Sequence, residues 1–379
     1  GGHLAQAWCR VVAHGRAASA FAMSLGEPAG GHWFSGNPLD RASARRKDPD
    51  FLHEVLGDQR TLYLIARRSA GRGRGADPGR PGHLQFLFDG GGILWRTKGQ
   101  VLEELGVDVA QAGSAEPLVL GLLDGTWHCV LEVSAPTASS QGGRQWVSAR
   151  GLSAPGRNRA EAAICGQALA VLQWRDGARF SGRTGRPARA VEGGARHEAG
   201  RGDRVYPRVD PAVIMAVVSP DGGRCLLGRY PGTDFFTCLA GFVEQGESVE
   251  EACRRETLEE VGVIVDRVLL HSTQPWPIGR AGSCELMIGC MARAASEDIV
   301  LDKDEMAAAE WFTREEVSAM VQRATQGAKP TKDAPVVPGA NAMAHHLLKC
   351  FADGFSWADH ARRGAGTASS SDLGAAARL

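Results

Sequence analysis

Three glutamates in the second half of the chain have the spacing expected of a cation site. They are Glu256, Glu259 and Glu260. Positions i, i+3 and i+4 share one face of a helix, and carboxylates gathered there repel one another unless a cation neutralises them. Oxygen ligands favour Mg²⁺ or Mn²⁺ over Zn²⁺, and Mg²⁺ keeps water ligands beside a phosphate-bearing substrate. The spacing therefore suggests phosphoryl chemistry with an activated water, the alternative being a solvated acidic helix face.

The residues around these glutamates extend the pattern over residues 241–263, GFVEQGESVEEACRRETLEEVGV. The segment resembles the Nudix box, G-x5-E-x7-R-E-U-x-E-E-x-G-U, in which U is apolar. The matching positions are Gly241, Glu247, Arg255, Glu256, Glu259, Glu260, Gly262 and Val263. Thr257 departs from the pattern, and we expect it to weaken the packing of the helix slightly. The resemblance implies an α/β fold, namely an α/β/α sandwich with a mixed sheet, and an enzyme that cleaves a nucleoside diphosphate linked to another group.

A second array indicates which group that is. Residues 272–277 (STQPWP) and 282–287 (GSCELM) resemble the S-Q-P-W-P-F-P-x-S array of the NADH pyrophosphatase branch, in a form closer to plant and algal members. The resemblance implies that Gln274, Trp276 and Ser283 bind substrate, although Trp276 alone could be an ordinary core aromatic. It also implies that NADH or NAD⁺ is hydrolysed to AMP and (reduced) nicotinamide mononucleotide.

The same resemblance assigns the remaining site residues. Tyr206 and Phe242 would stack on the nicotinamide ring, and the backbone of Ala344 would meet the substrate. Arg255 would orient the catalytic glutamates, and the general base is left open between Glu259 and the other carboxylates. The implied metal ligands are the carbonyl of Ala240 and the side chains of Glu256, Glu259, Glu260 and Glu305. The family is commonly homodimeric, which implies a homodimer here.

The elements that must position these residues fall into five segments. A leader, disordered or targeting, takes in 1–32, and a disordered tail takes in 356–379. Between them we predict a mostly β N-terminal domain, a connector with a helix, and a Nudix catalytic domain, over 33–158, 159–205 and 206–355. The patterning predicts helices over 49–56, 159–173 and 248–261 and from 313, and strands over 61–65, 84–88, 117–123, 127–133, 212–218, 225–227, 267–273 and 285–293.

The connector departs from the family, which usually holds a zinc ribbon of two Cys-x-x-Cys pairs there. Ser181 and Thr184 stand where the first pair is expected, and none of the nine cysteines of the chain forms such a pair. A structural zinc generally needs four nitrogen or sulfur ligands. We therefore predict no structural zinc.

Composition limits the possible partners. The 43 basic and 43 acidic residues balance, which argues against a general nucleic-acid or membrane-surface binder, and no run of about 18 apolar residues predicts a membrane span. The arginine-rich segment 179–208 is a local exception. This segment keeps open the removal of NAD caps from RNA as an alternative to NADH hydrolysis. Two further alternatives are a broader ADP-ribose or nucleoside-diphosphate hydrolase and a non-catalytic binding module.

Both ends of the chain carry features of targeting signals. The final Ala-Arg-Leu resembles a peroxisomal address, and the first 26 residues are rich in alanine and free of acids, as in an organelle transit peptide. We expect a peroxisomal protein, with a plastid or mitochondrial location as the alternative.

Overall fold

A computed structural model describes residues 31–69, 83–109, 116–133, 143–154, 156–279, 282–331 and 333–357. These residues form two compact units. The first comprises Gly31–Pro211 and Gln274–Leu286, and the second comprises Ala212–Thr273 and the described residues from Met287 onward. Nearly all of the leader, and the tail with its Ala-Arg-Leu, lie outside the described residues, so the expected locations stay predictions, as do the five segment limits. None of the helices described is long and apolar enough to cross a membrane.

The first unit is built on a seven-stranded sheet with the order β3-β2-β1-β6-β5, in which β4 pairs with β1 and β7 with β2. Strands β1 and β6 run parallel, and the other ladders are antiparallel. The strands are β1 (Leu62–Arg68), β2 (Leu84–Asp89), β3 (Gly92–Ile93), β4 (Trp95–Thr97), β5 (Leu118–Leu123), β6 (Thr126–Val133) and β7 (Arg144–Ser148). The helices are α1 (Phe51–Gly57), α2 (Lys98–Leu105) and α3 (Arg159–Gly177). The predicted mostly β character of this region is confirmed.

A second, three-stranded antiparallel sheet follows α3 within the stretch expected to be a polar connector. Its strands are β8 (Arg189–Val191), β9 (Arg196–Glu198) and β10 (Arg204–Val205), in the order β10-β9-β8. One face points inward: His197 is buried, and its ring lies 4.3 Å from that of Trp174 on α3. Strands of two or three residues are too short to show a period of two in the sequence, so the alternation rule could not find them.

Hydrogen bonds to Asp203 hold the turns of this small sheet together. Ser181 Oγ donates to Asp203 Oδ1 at 3.1 Å, and Thr184 Oγ1 donates to Oδ2. Arg183 Nε also donates to Oδ1, at 3.3 Å. The hydroxyl of Ser181 in turn accepts from the backbone N–H groups of Arg183 and Thr184. Asp203 is buried, and these donors supply what a buried carboxylate requires.

The second unit contains a six-stranded sheet with the order β14-β15-β11-β12-β16, in which β13 pairs with β11. The strands are β11 (Asp210–Val218), β12 (Arg224–Arg229), β13 (Leu239–Phe242), β14 (Val265–Trp276), β15 (Glu285–Ala294) and β16 (Ala308–Thr313). The helices are α4 (Val249–Val261), α5 (Arg314–Thr325) and α6 (Met343–Ala352). Val217 of β11 pairs with Leu226 of β12 and Val218 with Cys225, so the strands predicted over 212–218 and 225–227 are confirmed and form an antiparallel hairpin.

Helices cover both faces of this sheet. Ile214, Ala216 and Met291 belong to a hydrophobic cluster that also takes in apolar residues of α5 and α6. Successive residues of a strand face opposite sides, so Cys290 points away from that cluster. Both Cys290 and Cys253 of α4 are free thiols. A hydrogen bond between them, together with burial, raises the pKa of Cys253. Helix α4 therefore lies on the face opposite α5 and α6, and the predicted α/β class is confirmed.

Candidate active site

Helix α4 carries the three predicted carboxylates in its last two turns. Ser248 caps its N-terminus by accepting from the backbone N–H of Glu251, whose side chain accepts from the N–H of Ser248 in return. Gly262 ends the helix with φ of 72°, a conformation that favours glycine. The C-terminal end of a helix attracts cations and repels anions, and the last turn contains no basic residue. Three glutamates at this end cost stability, which indicates a functional reason for their position.

Arg255 connects the carboxylates of the cluster through hydrogen bonds. Its Nε and Nη2 donate to the two carboxylate oxygens of Glu247 at 2.8 and 2.9 Å. Its Nη1 donates to Glu256 Oε1 at 2.9 Å and to Glu259 Oε2 at 3.0 Å, and its Nη2 also donates to the carbonyl of Phe242 at 2.8 Å. The bonds from Arg255 hold the pKa of Glu247 below its ordinary value, and those same bonds raise the pKa of Arg255. The guanidinium thus fixes three carboxylates at once.

Glu256 lies against the backbone of β13 at Gly241, where any larger residue would displace its carboxyl group. A Cβ on Gly241 would lie 1.9 Å from the carboxyl carbon of Glu256. Burial raises the pKa of the Glu256 carboxyl; Arg255 offsets part of this, and the negative charges of Glu259 and Glu305 raise it further. Glu256 is therefore a partly dehydrated carboxylate that lies beside one guanidinium and near two further carboxylates.

Glu260 is held by a tyrosine that the sequence did not single out. Glu260 is buried, and its Oε1 accepts a hydrogen bond from the hydroxyl of Tyr230 at 2.9 Å. The same hydroxyl accepts from the N–H of Ala240 at 3.1 Å and lies 3.4 Å from the carbonyl oxygen of Ala240. A phenol has a single proton, and the nearer, charged carboxylate receives it. The carbonyl of Ala240 is thereby left to bind something else.

Backbone hydrogen bonds place the loop of Glu305 beside the end of α4. The N–H of Val300 donates to the carbonyl of Val261 at 2.9 Å, and that of Asp302 donates to the carbonyl of Glu260 at 3.0 Å. Beyond Glu305, the N–H of Ala307 donates to the carbonyl of Arg229 at 2.8 Å. Glu305, which the resemblance implies as a metal ligand, thus lies on a loop that returns to the end of α4, although it is 45 residues from Glu260. Its role as a ligand stays a prediction.

The donor set fits a hard divalent cation, although the carboxylates are engaged elsewhere. Among the residues described, no three His, Cys, Asp or Glu side chains are arranged to hold a metal ion together. Arg255 binds Glu256 and Glu259, and Tyr230 binds Glu260. All the available donors are oxygens, which suits a hard divalent cation. The pKa of Glu256 is raised mainly by burial and further by the charges of Glu259 and Glu305.

Two predicted ring-binding residues are accessible. Phe242 ends β13, its side chain is exposed, and its carbonyl is bonded to Arg255. Tyr206 follows β10 in the first unit and is 60% exposed. Ala344 is different: it is buried in the first turn of α6, and its carbonyl accepts from Cys238 Sγ at 4.0 Å.

The three residues of the second array that the resemblance assigned to substrate, Gln274, Trp276 and Ser283, lie in the first unit. Gln274 is buried, and its Nε2 donates to the carbonyl of Trp33 at 3.3 Å. Trp276 packs against the hydrophobic core there and meets the ring of Phe34 edge-on, with 6.1 Å between centroids. Ser283 Oγ donates to Glu285 Oε1 at 2.7 Å. The substrate contacts expected of Gln274, Trp276 and Ser283 stay predictions.

Thr257 fits the helix interior without an unsatisfied polar group. It is fully buried, and its hydroxyl donates to the carbonyl of Cys253 one turn earlier, at 2.7 Å. Such a bond satisfies the polar group inside a helix, so the departure from an apolar residue leaves the position of the glutamates intact.

Comparison with known proteins agrees with this geometry. A model of the NUDIX domain matches residues 209–334. The NAD-capped RNA hydrolase NudC of Mycobacterium bovis is 31% identical over 308 residues, covering 77% of this chain and 96% of that protein. The chain belongs to the Nudix hydrolase family.

Two further relatives match the chain over a shorter stretch. The NAD-capped RNA hydrolase NUDT12 of Homo sapiens is 43% identical over 202 residues, which are 50% of this chain and 41% of that protein. The NAD(P)H pyrophosphatase NUDT13 of Mus musculus, a mitochondrial protein, is 34% identical over 199 residues, 51% of this chain and 55% of that protein. The chain thus spans about half the length of these two relatives.

Proposed function

We propose that this chain hydrolyses the pyrophosphate of NADH or NAD⁺ to AMP and (reduced) nicotinamide mononucleotide. The observation that carries the proposal is the cluster at the end of α4, in which Arg255 orients Glu256 and Glu259 beside the buried Glu260. The mouse relative is named a NAD(P)H pyrophosphatase, which supports the substrate class.

Glu256, Glu260, Glu305 and the carbonyl of Ala240 would hold a divalent cation, Mg²⁺ or Mn²⁺. Such an ion supplies charge neutralisation for the phosphates and lowers the pKa of a water. Tyr230 keeps Glu260 turned toward the Ala240 backbone. Arg255 keeps Glu256 next to Gly241. A bound ion would draw these oxygens together, since no three acidic side chains among the described residues are gathered around one point.

Glu259 is the carboxylate best placed to take a proton from the attacking water. Its side chain is 55% exposed, whereas those of Glu256 and Glu247 are 13% exposed and Glu260 is buried. Oε2 of Glu259 accepts from Arg255, and Oε1 is the atom that would receive the proton. A general base must reach the water it activates, and Glu247, Glu256 and Glu260 are turned toward the protein.

The test is turnover by Glu260→Gln, with Glu103→Gln on the exposed face of α2 as a matched control. Loss of the charge should lower kcat for NADH by about 10²–10³, as for other groups that stabilise transition-state charge. Product chromatography should show AMP and reduced nicotinamide mononucleotide from the wild type, and circular dichroism should be unchanged. Full turnover in Glu260→Gln would reject the assignment of the site.

Substrate and ion are compared in the same assay. NADH, NAD⁺ and ADP-ribose are offered at equal concentration with Mg²⁺ or Mn²⁺. The proposal expects the nicotinamide substrates to be hydrolysed faster than ADP-ribose. A preference for ADP-ribose would replace the proposal with a broader nucleoside-diphosphate hydrolase.

A second candidate function is the removal of NAD caps from RNA. Two relatives are named NAD-capped RNA hydrolases, and the segment 179–208 contains eight arginines against three acidic residues. The chemistry would be the same hydrolysis, with RNA attached to the adenosine. Release of NMN from a 5′-NAD oligoribonucleotide, followed by mass spectrometry, tests it directly.

The resemblance to the family also leads us to propose a homodimer. Light scattering coupled to size-exclusion chromatography tests this, since a single species at the mass of one 40.2 kDa chain would exclude it.

A further inference from the structure

The outward face of the small sheet β8–β10 is basic. Arg189 of β8 and Arg204 of β10 both lie directly opposite Glu198 of β9, and residues opposite one another on paired strands share a face. The neighbouring His197 points inward and is buried. Arg189 and Arg204 therefore project from the same face, one on each side of the central strand, and both are exposed.

Two turns beside this sheet add further arginines. The hairpin 179–188 is closed by hydrogen bonds from Ala188 N to Arg179 O and from Ser181 N to Arg186 O. A Cβ on Gly200 would lie 3.6 Å from Nη1 of Arg186, so this guanidinium lies against the turn that carries Arg201. We call the group of exposed arginines on the sheet and its two turns the arginine surface; its members are Arg179, Arg186, Arg189, Arg201 and Arg204.

The acidic residues of the segment neutralise this surface only in part, through Glu198, which lies on the same face between Arg189 and Arg204. Asp203 is buried under Ser181, Thr184 and Arg183. Glu192 and Glu198 are both directed to Arg196, at 2.9 and 3.9 Å. None of the five members of the arginine surface forms an ion pair with another residue that the structure describes. Within a chain of zero net charge, this is a concentrated positive patch.

The hairpin 179–188 also carries an exposed aromatic ring next to Arg179. Phe180 lies between Arg179 and Ser181 in the hairpin and is 61% exposed. Exposure of a large apolar ring to water is unfavourable in free energy, whereas any nucleobase can stack on such a ring. Guanidinium groups that bind phosphates together with an aromatic platform for bases are the pattern of proteins that bind single-stranded nucleic acid.

We propose that the arginine surface, with Phe180, binds the sugar-phosphate chain of single-stranded RNA. The inference rests on the second candidate function, removal of NAD caps. It assigns the contacts with the body of the RNA to the small sheet. It predicts that changes in this surface affect hydrolysis of capped RNA and leave hydrolysis of free NADH unchanged. Free NADH has no phosphodiester chain to occupy this surface.

The test measures binding of an uncapped, fluorescein-labelled oligoribonucleotide by anisotropy between 50 and 200 mM salt, so it needs no hydrolysis. Arg189→Gln/Arg204→Gln should bind about tenfold more weakly at low salt. Each phosphate contact on a single strand contributes about 0.7 to the slope of log K against log salt, so losing two should reduce the slope by about 1.4. Phe180→Ala should weaken binding about fivefold or more with little change in slope, because stacking is not ionic.

The control is Arg60→Gln/Arg150→Gln, which removes two exposed arginines elsewhere in the first unit and should leave RNA binding unchanged. Both double variants should hydrolyse NADH at the wild-type rate, because neither touches the cluster around Arg255. Hydrolysis of a 5′-NAD oligoribonucleotide should fall only in Arg189→Gln/Arg204→Gln, through KM.

Two outcomes would overturn the proposal, and a third would refute only the second candidate function. Equal RNA binding by both double variants would remove the surface from RNA recognition. Absence of RNA binding by the wild type, together with tight and salt-sensitive binding of a poly-glutamate peptide, would assign the surface to an acidic protein. A wild type that binds the uncapped RNA through these arginines but does not hydrolyse the capped one would refute the second candidate function and leave the RNA-binding surface standing.

Discussion

The hydroxyl of Tyr230 joins α4 to β13 through a single oxygen, and Tyr230→Phe removes only that atom. The change deletes the hydrogen bond to the carboxylate of Glu260, 2.9 Å long, and leaves the N–H of Ala240 without its 3.1 Å acceptor. A bond to a charged group contributes about 1.5–3 kcal/mol and a neutral one about 0.5–1.5 kcal/mol. We therefore expect the free energy of unfolding to fall by about 2–4 kcal/mol.

A matched control is provided by Tyr63→Phe. Tyr63 lies on β1 in the first unit, is fully buried, and its hydroxyl has no hydrogen-bond partner among the described residues. Removing a buried hydroxyl that is unsatisfied should be neutral or stabilising. The two variants thus delete the same atom from the same type of residue, once with partners and once without.

The assays are urea unfolding and steady-state hydrolysis of NADH. Tyr230→Phe should lower kcat about ten- to hundredfold, because displacement of a reacting group by about 1 Å can cost a factor of 10². Titration with Mn²⁺, followed by electron spin resonance, should show weaker binding. If Tyr230→Phe matched Tyr63→Phe in stability, Mn²⁺ affinity and kcat, the positioning role of the hydroxyl would be refuted.

Three more substitutions test the geometry around α4 and the small sheet. Gly241→Ala should displace Glu256, since a Cβ would lie 1.9 Å from its carboxyl carbon; kcat should fall more than tenfold, and an unchanged rate would contradict the close approach. Arg255→Lys should reduce kcat similarly with little change in circular dichroism, because a lysine cannot make the five hydrogen bonds of the guanidinium. Asp203→Asn should destabilise the first unit at neutral pH. Hydrogen bonds led by that of Thr184 hold the pKa of Asp203 below its ordinary value, so its stabilisation is present above about pH 4 and is lost as the pH falls through the folded pKa; a difference between wild type and variant that is independent of pH would contradict this account.

Locally determined elements of the fold could be predicted from the sequence. The box helix was expected over 248–261 and spans Val249–Val261, because Ser248, Glu251 and Gly262 specify its two ends within a few residues. The hairpin of β11 and β12 follows in the same way from the turn at residues 221–223. That Glu256, Glu259 and Glu260 lie together in the last two turns of this helix was also predictable, since the helical period places i, i+3 and i+4 on one face.

Elements that depend on distant partners were not predicted. Strands β13 and β16 have four and six residues and exist through pairing with β11 and β12. The hydrogen bond between Tyr230 and Glu260 could not be predicted, because the two residues are 30 positions apart and meet only when β12 and β13 fold beside α4. For Trp276, the motif predicted a contact with substrate. The structure shows its side chain packed against Phe34 in the first unit.

The hydroxyl–carboxylate network of Ser181, Thr184 and Asp203 has a practical consequence. Thiolate ligands are consumed by oxidants and released by chelators, whereas hydroxyls and a carboxylate bonded to one another are indifferent to both. A chelator that removes a divalent ion from the glutamates of α4 should therefore leave the small sheet folded. Activity could then be switched off and restored by adding metal back, and the metal content would count catalytic sites alone.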